Sequence, residues 1–401
     1  ESSDLSVSSY NGTIKDSAGN TAGAASGDLG TVIVDLTAPT LSSVAAADAT
    51  YKVDDNIDIT VTWSETVTKS GTPTLTLSNG ATATYQSGDG SAAFVFRYTV
   101  VEGHTDSADL SVSAYGGTIT DTAGNTAAAA SGDLGSVIVD ANSPNVSSVA
   151  AANGTYYVGQ NIDITVTWDE TVVVTDTPTI LLNNDATATY QSGTGSAALV
   201  FRYTVAEGDI ASNDLKTSSY SGTITDTAGN AAEQVSSANG DLGDVLVDGD
   251  APDFVSVAAS DATYKVGQNI DITVTWDEAV TVTDTPTLTL SNGATASYQS
   301  GTGSAALVFR YTVAEGDTDS SDLSVSAYGG TIKDSAGNTA GAASGDLGSV
   351  IVDANSPGFT SVAATNGTYK VDDNIDITVT WGEAVTVTDT PTLTLSNGAT
   401  A

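Results

Sequence analysis

The chain repeats itself, and this limits its fold more than any other feature. Its four tryptophans are Trp63, Trp168, Trp276 and Trp381, spaced by 168−63=105, 276−168=108 and 381−276=105 residues. Linker prolines keep the same rhythm at Pro39, Pro144, Pro252 and Pro357. The letters IDITVTW, Ile57 to Trp63, recur from Ile162, Ile270 and Ile375. The longer middle period comes from one loop. Ala228 to Gly243 reads AGNAAEQVSSANGDLG where Ala123 to Gly135 reads AGNTAAAASGDLG, an insertion of the kind surface loops tolerate.

A period near 105 residues is too long for a solenoid unit and suits one immunoglobulin-sized domain. Three complete repeats are expected, at 38–142, 143–250 and 251–355. Residues 1–37 read as the C-terminal part of a β-sandwich repeat, and 356–401 as the N-terminal part of a further one. The chain begins and ends inside repeats and contains no Met, so it is expected to be a piece of a longer protein. Any signal peptide or anchor is expected outside this window.

Within 38–142 the apolar pattern has period two. Ile57, Ile59, Val61 and Trp63 alternate with Asp58, Thr60 and Thr62, which marks a half-buried strand. Phe94, Phe96, Tyr98 and Val100 alternate in the same way. Shorter runs occur at Thr74–Leu77, Thr82–Gln86, Leu110–Ala114 and Val137–Val139. Thr, Val, Ile and Tyr dominate them, as strands prefer. Turn residues separate them at Ser78-Asn79-Gly80, Ser87-Gly88-Asp89-Gly90 and Tyr115-Gly116-Gly117. No segment shows a useful helical period. The expected class is all-β, with tandem antiparallel β-sandwiches joined end to end. Trp63 is expected in the core.

Composition removes whole classes of chemistry. Cysteine is absent, which excludes disulfides, thiol catalysis and zinc–thiolate sites. The only histidine is His104, and it does not recur. There is no Gly-x-Ser-x-Gly elbow, so hydrolase chemistry has no candidate residues and the chain is read as not an enzyme. Gly88 to Ala93 fits a loose Gly-x-Gly-x-x-Ala, but it lies between two strands and reads as a hairpin turn. A net charge of −39 disfavours nucleic acid and anionic membrane surfaces. No apolar run approaches the ~18–20 residues of a membrane span. Adaptation to salty water accounts for the total charge, but not for where particular carboxylates sit.

The linker Val-Asp-x-x-x-Pro, the Trp-x-Glu after a strand and the Asp-x-Ala-Gly-Asn turn resemble the bacterial immunoglobulin-like or cadherin-like repeats of giant cell-surface adhesins. Within that group it resembles the repeats of the swimming-motility surface proteins of marine cyanobacteria. The resemblance covers the whole chain. It implies Ca²⁺ at or near repeat boundaries and an extracellular, cell-surface location.

Sandwich topology points to the same place from the residues. In an antiparallel seven-strand order the second strand returns to the pole where the chain entered. Glu65 then lies near the incoming linker with Asp35, and the turn Asp121–Asn125 is expected at that pole. Asp35, Glu65 and Asp121 should converge, with an oxygen of Asn125 as a further donor. The set recurs as Asp140, Glu170, Asp226 and Asn230, and as Asp248, Glu278, Asp334 and Asn338; Asp353 and Glu383 begin another. Oxygen donors without His or Cys suit Ca²⁺, which takes ~6–8 ligands in flexible geometry. The middle residue of Trp-x-Glu varies (Ser64, Asp169, Asp277, Gly382), so it is not expected to ligate. The Asp-x-Ala-Gly-Asn sequence is also a sufficient turn signal by itself.

Three functions fit. The first is a Ca²⁺-stiffened spacer or stalk of a large surface adhesin, each repeat spanning roughly 40 Å. The second is a multivalent binder of cell-surface glycans or another surface, with outward threonines such as Thr60, Thr62, Thr82 and Thr84 as a candidate row. The third is a matrix or surface-layer filament built from identical chains. The expected partners are accordingly the neighbouring repeats, identical chains or glycans, with no nucleic acid and no membrane insertion.

Overall fold

The computed structural model describes residues 4–401. It divides into two compact units, one of residues up to 152, 163–203 and 216–243, the other of 153–162, 204–215 and 244–401. The described residues form strands and turns with no helix.

In the first unit, β1 (Ser6–Val7) pairs antiparallel with β2 (Gly27–Asp28). The next repeat supplies β3 (Leu41–Ala45), β4 (Ala49–Tyr51), β5 (Asn56–Leu77), β6 (Thr82–Ser87), β7 (Ser91–Thr99), β8 (Ser111–Thr120), β9 (Gly132–Asp133) and β10 (Val137–Val139). The larger sheet runs β6-β7-β5-β8-β9, with β3 on β5. The smaller sheet is β10 beside β4, paired in parallel from Ala49↔Val137 to Tyr51↔Val139. The core between them takes Ile57, Ile59, Val61 and Trp63 from β5, Phe94, Phe96 and Tyr98 from β7, and Val137 and Val139 from β10. Period-two alternation thus sends one face of each long strand inward, as the sequence reading expects. Trp63 stands edge-on to Phe94 with ring centroids 5.2 Å apart.

One difference from the sequence reading concerns β5. It runs unbroken through Leu77, whereas its counterparts are split into Asn161–Val174 with Thr179–Leu182 and Asn269–Val282 with Thr287–Leu290. The register of β5 shifts between Ser70 and Thr74, with Gly71 at φ 74°; the other copies place Thr175-Asp176 and Thr283-Asp284 at Ser70-Gly71.

The first unit also holds a seven-stranded sheet built on Asn161–Val174, and the second holds a three-stranded sheet in which Gly154–Tyr157 pairs in parallel with Val245–Gly249. The second unit repeats the whole plan over 254–353, with a core around Ile270, Ile272, Trp276 and Phe309. The hairpin turns at Gly88, Gly193 and Gly301 all have φ between 110° and 114°. A Cβ at any of them would collide with the carbonyl oxygen of Ala93, Ala198 or Ala306, so both backbone and space require glycine.

On the outer face, the cross-strand pairs Asp58–Arg97, Asp163–Arg202 and Asp271–Arg310 each form two-pronged ion pairs at 2.6–2.8 Å. These arginines therefore lie opposite the aromatic row, as their alternation predicts.

Candidate cation site at the repeat junctions

The turn after β8 is built by its own first residue. Asp121 accepts from the backbone N–H of Ala123 and of Asn125, both at 2.8 Å, through Oδ1, and from Nδ2 of Asn125 at 2.8 Å through Oδ2. Asp226 repeats this with Gly229 N (2.6 Å), Asn230 N (2.9 Å) and Asn230 Nδ2 (2.7 Å), and Asp334 does so with Gly337 and Asn338. Asp121, Asp226 and Asp334 are 3%, 2% and 4% exposed. An ionised carboxylate offers about four lone-pair sites. Three are taken inside each turn, which leaves one on Oδ2. Burial pushes the Asp121 carboxyl up, but the hydrogen bonds from Asn125, Gly124 and Ala123 outweigh it and hold it below the ordinary carboxylate range.

Two more carboxylates arrive at this turn. Carboxylate oxygens of Asp35, Glu65 and Asp121 lie within 4.8 Å of one another, and so do those of Asp140, Glu170 and Asp226. Strand β5 delivers the Glu, the linker delivers the first Asp, and the turn delivers the second. In the second unit Asp248, Glu278 and Asp334 are close enough for their charges to act on one another. Asp353 and Glu383 are both exposed.

The electrostatics are those of like charges held together. Burial, then the charges of Asp226 and Asp140, push Glu170 up to about 7. Burial, then Asp334 and Asp248, push Glu278 up to about 7. Asp140 and Asp248 are raised as well, first by burial. In the second unit a cavity of about 340 Å³ is lined by Glu207, Asp248, Asp250, Asp253, Asp277 and Glu278, with no basic side chain among its lining residues.

The asparagines have different partners from those the sequence reading gives them. That reading offers an oxygen of Asn125, Asn230 and Asn338 to the cation. In the structure Oδ1 of Asn230 accepts the backbone N–H of Val53 at 2.8 Å, and Oδ1 of Asn338 accepts that of Val158 at 2.8 Å. Their Nδ2 atoms donate to the linker carbonyls of Asp140 and Asp248 at 3.2 and 3.3 Å, as that of Asn125 does to Asp35 at 3.2 Å. They are braces between turn and linker.

The variable residue of Trp-x-Glu is explained. Ser64 Oγ, Asp169 Oδ1 and Asp277 Oδ1 accept the backbone N–H of Thr40, Asn145 and Asp253 at 3.0, 2.7 and 2.8 Å. Three copies thus use a short side chain with an acceptor oxygen, and the fourth, Gly382, has none.

Sequence reasoning missed one set. Glu102 binds Ser143 through N (3.0 Å) and Oγ (2.7 Å), and Asp106 Oδ1 accepts from Ala141 N and Asn142 Nδ2, both at 2.8 Å. Glu315 and Asp319 hold Ser356, Ala354 and Asn355 in the same way, and Glu207 accepts from Ala251 N at 3.2 Å. These acids tie the outgoing linker to the loop after the aromatic strand. The Glu-Gly that recurs at Glu102, Glu207 and Glu315 was the available signal.

Comparison with known proteins adds the following. No curated protein matches the chain. Among solved structures, a crystal structure of dimeric latent PorU from Porphyromonas gingivalis is similar at 12% identity over 84% of this chain and 36% of that one, with a TM-score of 0.17, too low to carry an argument. This chain thus spans little more than a third of that protein's length. Residues 35–137 match the family model of the bacterial Ig-like domain, which accords with the all-β fold of the chain.

Proposed function

We propose that this chain is a spacer: a run of Ig-like repeats in an extracellular surface adhesin, stiffened by Ca²⁺ bound where one repeat meets the next. The observation that carries the reading is the meeting of Asp140, Glu170 and Asp226 within 4.8 Å, with Glu170 pushed up to about 7. Bringing three acids together without a counter-charge is costly, and a divalent cation removes that cost. The donor set is all oxygen, hard and flexible in geometry, which suits Ca²⁺ better than a transition metal. Asp140, Glu170 and Asp226 would be the ligands, with Asn230 holding turn and linker in place. Asp35, Glu65 and Asp121 form the equivalent set, and Asp248, Glu278 and Asp334 the next, where Asp250 adds charge.

A mechanical role accords with the near-copied repeats. No helix among the described residues is long and apolar enough to cross a membrane. The narrower likeness to cyanobacterial swimming-motility repeats rests on the linker, Trp-x-Glu and turn motifs alone. A second reading, weak multivalent binding, draws on the outer face, where Thr74 pairs Thr84 and Thr76 pairs Thr82 in a row of hydroxyls.

Small-angle scattering of the whole chain in Ca²⁺ and in chelator tests the spacer. Ca²⁺ should lengthen and narrow the pair-distance distribution and raise the melting temperature. Identical curves and identical melting in both conditions would remove the cation from the account.

A further inference from the structure

The Asp-x-Ala-Gly-Asn turn does more than present a carboxylate. We propose that its Asn is a latch that fixes the angle between consecutive repeats, by taking a backbone N–H from a turn of the preceding repeat, and that this latch acts independently of the cation.

The geometry is the same at two places in the chain. Asn230 is 2% exposed and spends its whole amide on the junction. Its Oδ1 takes Val53 N at 2.8 Å, and its Nδ2 reaches Asp226 Oδ2 at 2.7 Å, Asp140 O at 3.2 Å and Asn142 O at 3.4 Å. Asn338, also 2% exposed, takes Val158 N at 2.8 Å and reaches Asp334 Oδ2 at 2.8 Å, Asp248 O at 3.3 Å and Asp250 O at 2.9 Å. One side chain therefore joins three segments: its own turn, the linker, and the preceding repeat. A covalent linker alone leaves rotation free. A second, off-axis attachment removes it.

The neighbouring glycine is shaped for the same contact. A Cβ on Gly337 would sit 2.8 Å from Cε1 of Tyr157, and one on Gly229 would sit 3.3 Å from Cδ of Lys52. Lys333 places its ammonium 5.8 Å from the centre of the Tyr157 ring.

The donor side is also pre-set. Asp55 N donates to Lys52 O at 3.1 Å, and Asp54 has φ 72°; Gln160 N donates to Tyr157 O at 3.0 Å, and Gly159 has φ 85°. Both are turns whose third residue has positive φ, which puts Val53 and Val158 at the second position, where proline is favoured. Val53→Pro therefore deletes the N–H given to Asn230 while suiting the turn that presents it. It touches no carboxylate of the proposed cation site.

The test uses the whole chain, which has no cysteine of its own. Spin labels go on Thr82→Cys and Thr187→Cys, both exposed, one on each side of a latch. The width of the distance distribution is read in saturating Ca²⁺ and in chelator, for wild type, Val53→Pro and Asn230→Ala. The latch predicts at least a twofold broadening for both variants in saturating Ca²⁺, with the Ca²⁺ affinity of Val53→Pro within about threefold of wild type. Wild-type widths for Val53→Pro in both conditions overturn it. So does broadening that further Ca²⁺ abolishes, because the Asn would then act through the cation. If Asn230→Ala unfolds its repeat, Val53→Pro decides, since it leaves the Asp226–Asn230 turn intact. If wild type binds no Ca²⁺, the cation reading fails while the comparison of widths still decides the latch.

Discussion

Glu170 and Asp226 come from a strand and a turn 56 residues apart in sequence (226−170=56), and their carboxylate oxygens lie within 4.8 Å of each other. Their proximity is the source of the first prediction. Burial and the charges of Asp226 and Asp140 push Glu170 up to about 7 from an ordinary value of 4.5. A carboxyl whose pKa is raised by folding contributes stability that is full below its unfolded value and is lost as pH rises through its folded value. In chelator the chain should therefore lose stability between pH 4.5 and about 7, in step with Glu170 and Glu278. The loss should be about 1–2 kcal/mol per junction after allowance for solvent screening. Glu170→Gln should flatten its share of the curve. Urea midpoints measured across this range check the sign; a rise in place of a fall would refute it.

Cation binding should release protons. At pH 7 a carboxyl with its pKa near 7 is about half protonated, and a bound Ca²⁺ requires it ionised. Calorimetry in two buffers of different ionisation enthalpy should find about half a proton expelled per junction at pH 7, vanishing by about pH 8.5. Binding with no proton release at pH 7 would place the ion elsewhere.

The hairpin glycines should resist substitution. Gly301 has φ 112°, and a Cβ would collide with the Ala306 carbonyl. Gly301→Ala should cost more than the ~1–3 kcal/mol of a strained backbone alone. Gly303, with φ 83° and open space around its Cβ position, should cost less on the same change. Thermal melts of the two variants check the order.

The arginine pairs should matter little. Arg97 and Asp58 form short bonds, yet their side chains are 42% and 49% exposed. Arg97→Ala should lower stability only slightly, and less still in high salt, because water screens an exposed pair. A loss of several kcal/mol would show that the outer face of the sheet is covered by something.

Much of this was legible in the sequence, for a definite reason. Ile57 to Trp63 alternates because one face is core, so strand and face were readable together. Asp35, Glu65 and Asp121 were predictable as a group because sandwich topology brings linker, strand and turn to one pole, although Glu65 lies inside β5 and not after it. The partner of Asn230 was not predictable. Which backbone N–H it meets depends on the angle between repeats, and no local pattern encodes that angle. The role of Glu102 was obscured for a similar reason, since its contact is to a linker 41 residues away. Asp54 in one repeat stands where Gly159 stands in the next. It is a turn position with positive φ, which Asp tolerates and Gly prefers.

The parallel pairing of β4 with β10 bears on how such a chain meets tension. β4 lies near the entry of its repeat and β10 near the exit, side by side and pointing the same way. A pull on the two ends drags these strands past each other along their length. The hydrogen bonds of the pair are then strained together, in shear, and none can open ahead of the rest as the teeth of a zip do. Each repeat should hold until that patch fails at once and then lengthen by most of its contour, which is the response of a tether that absorbs shocks in steps.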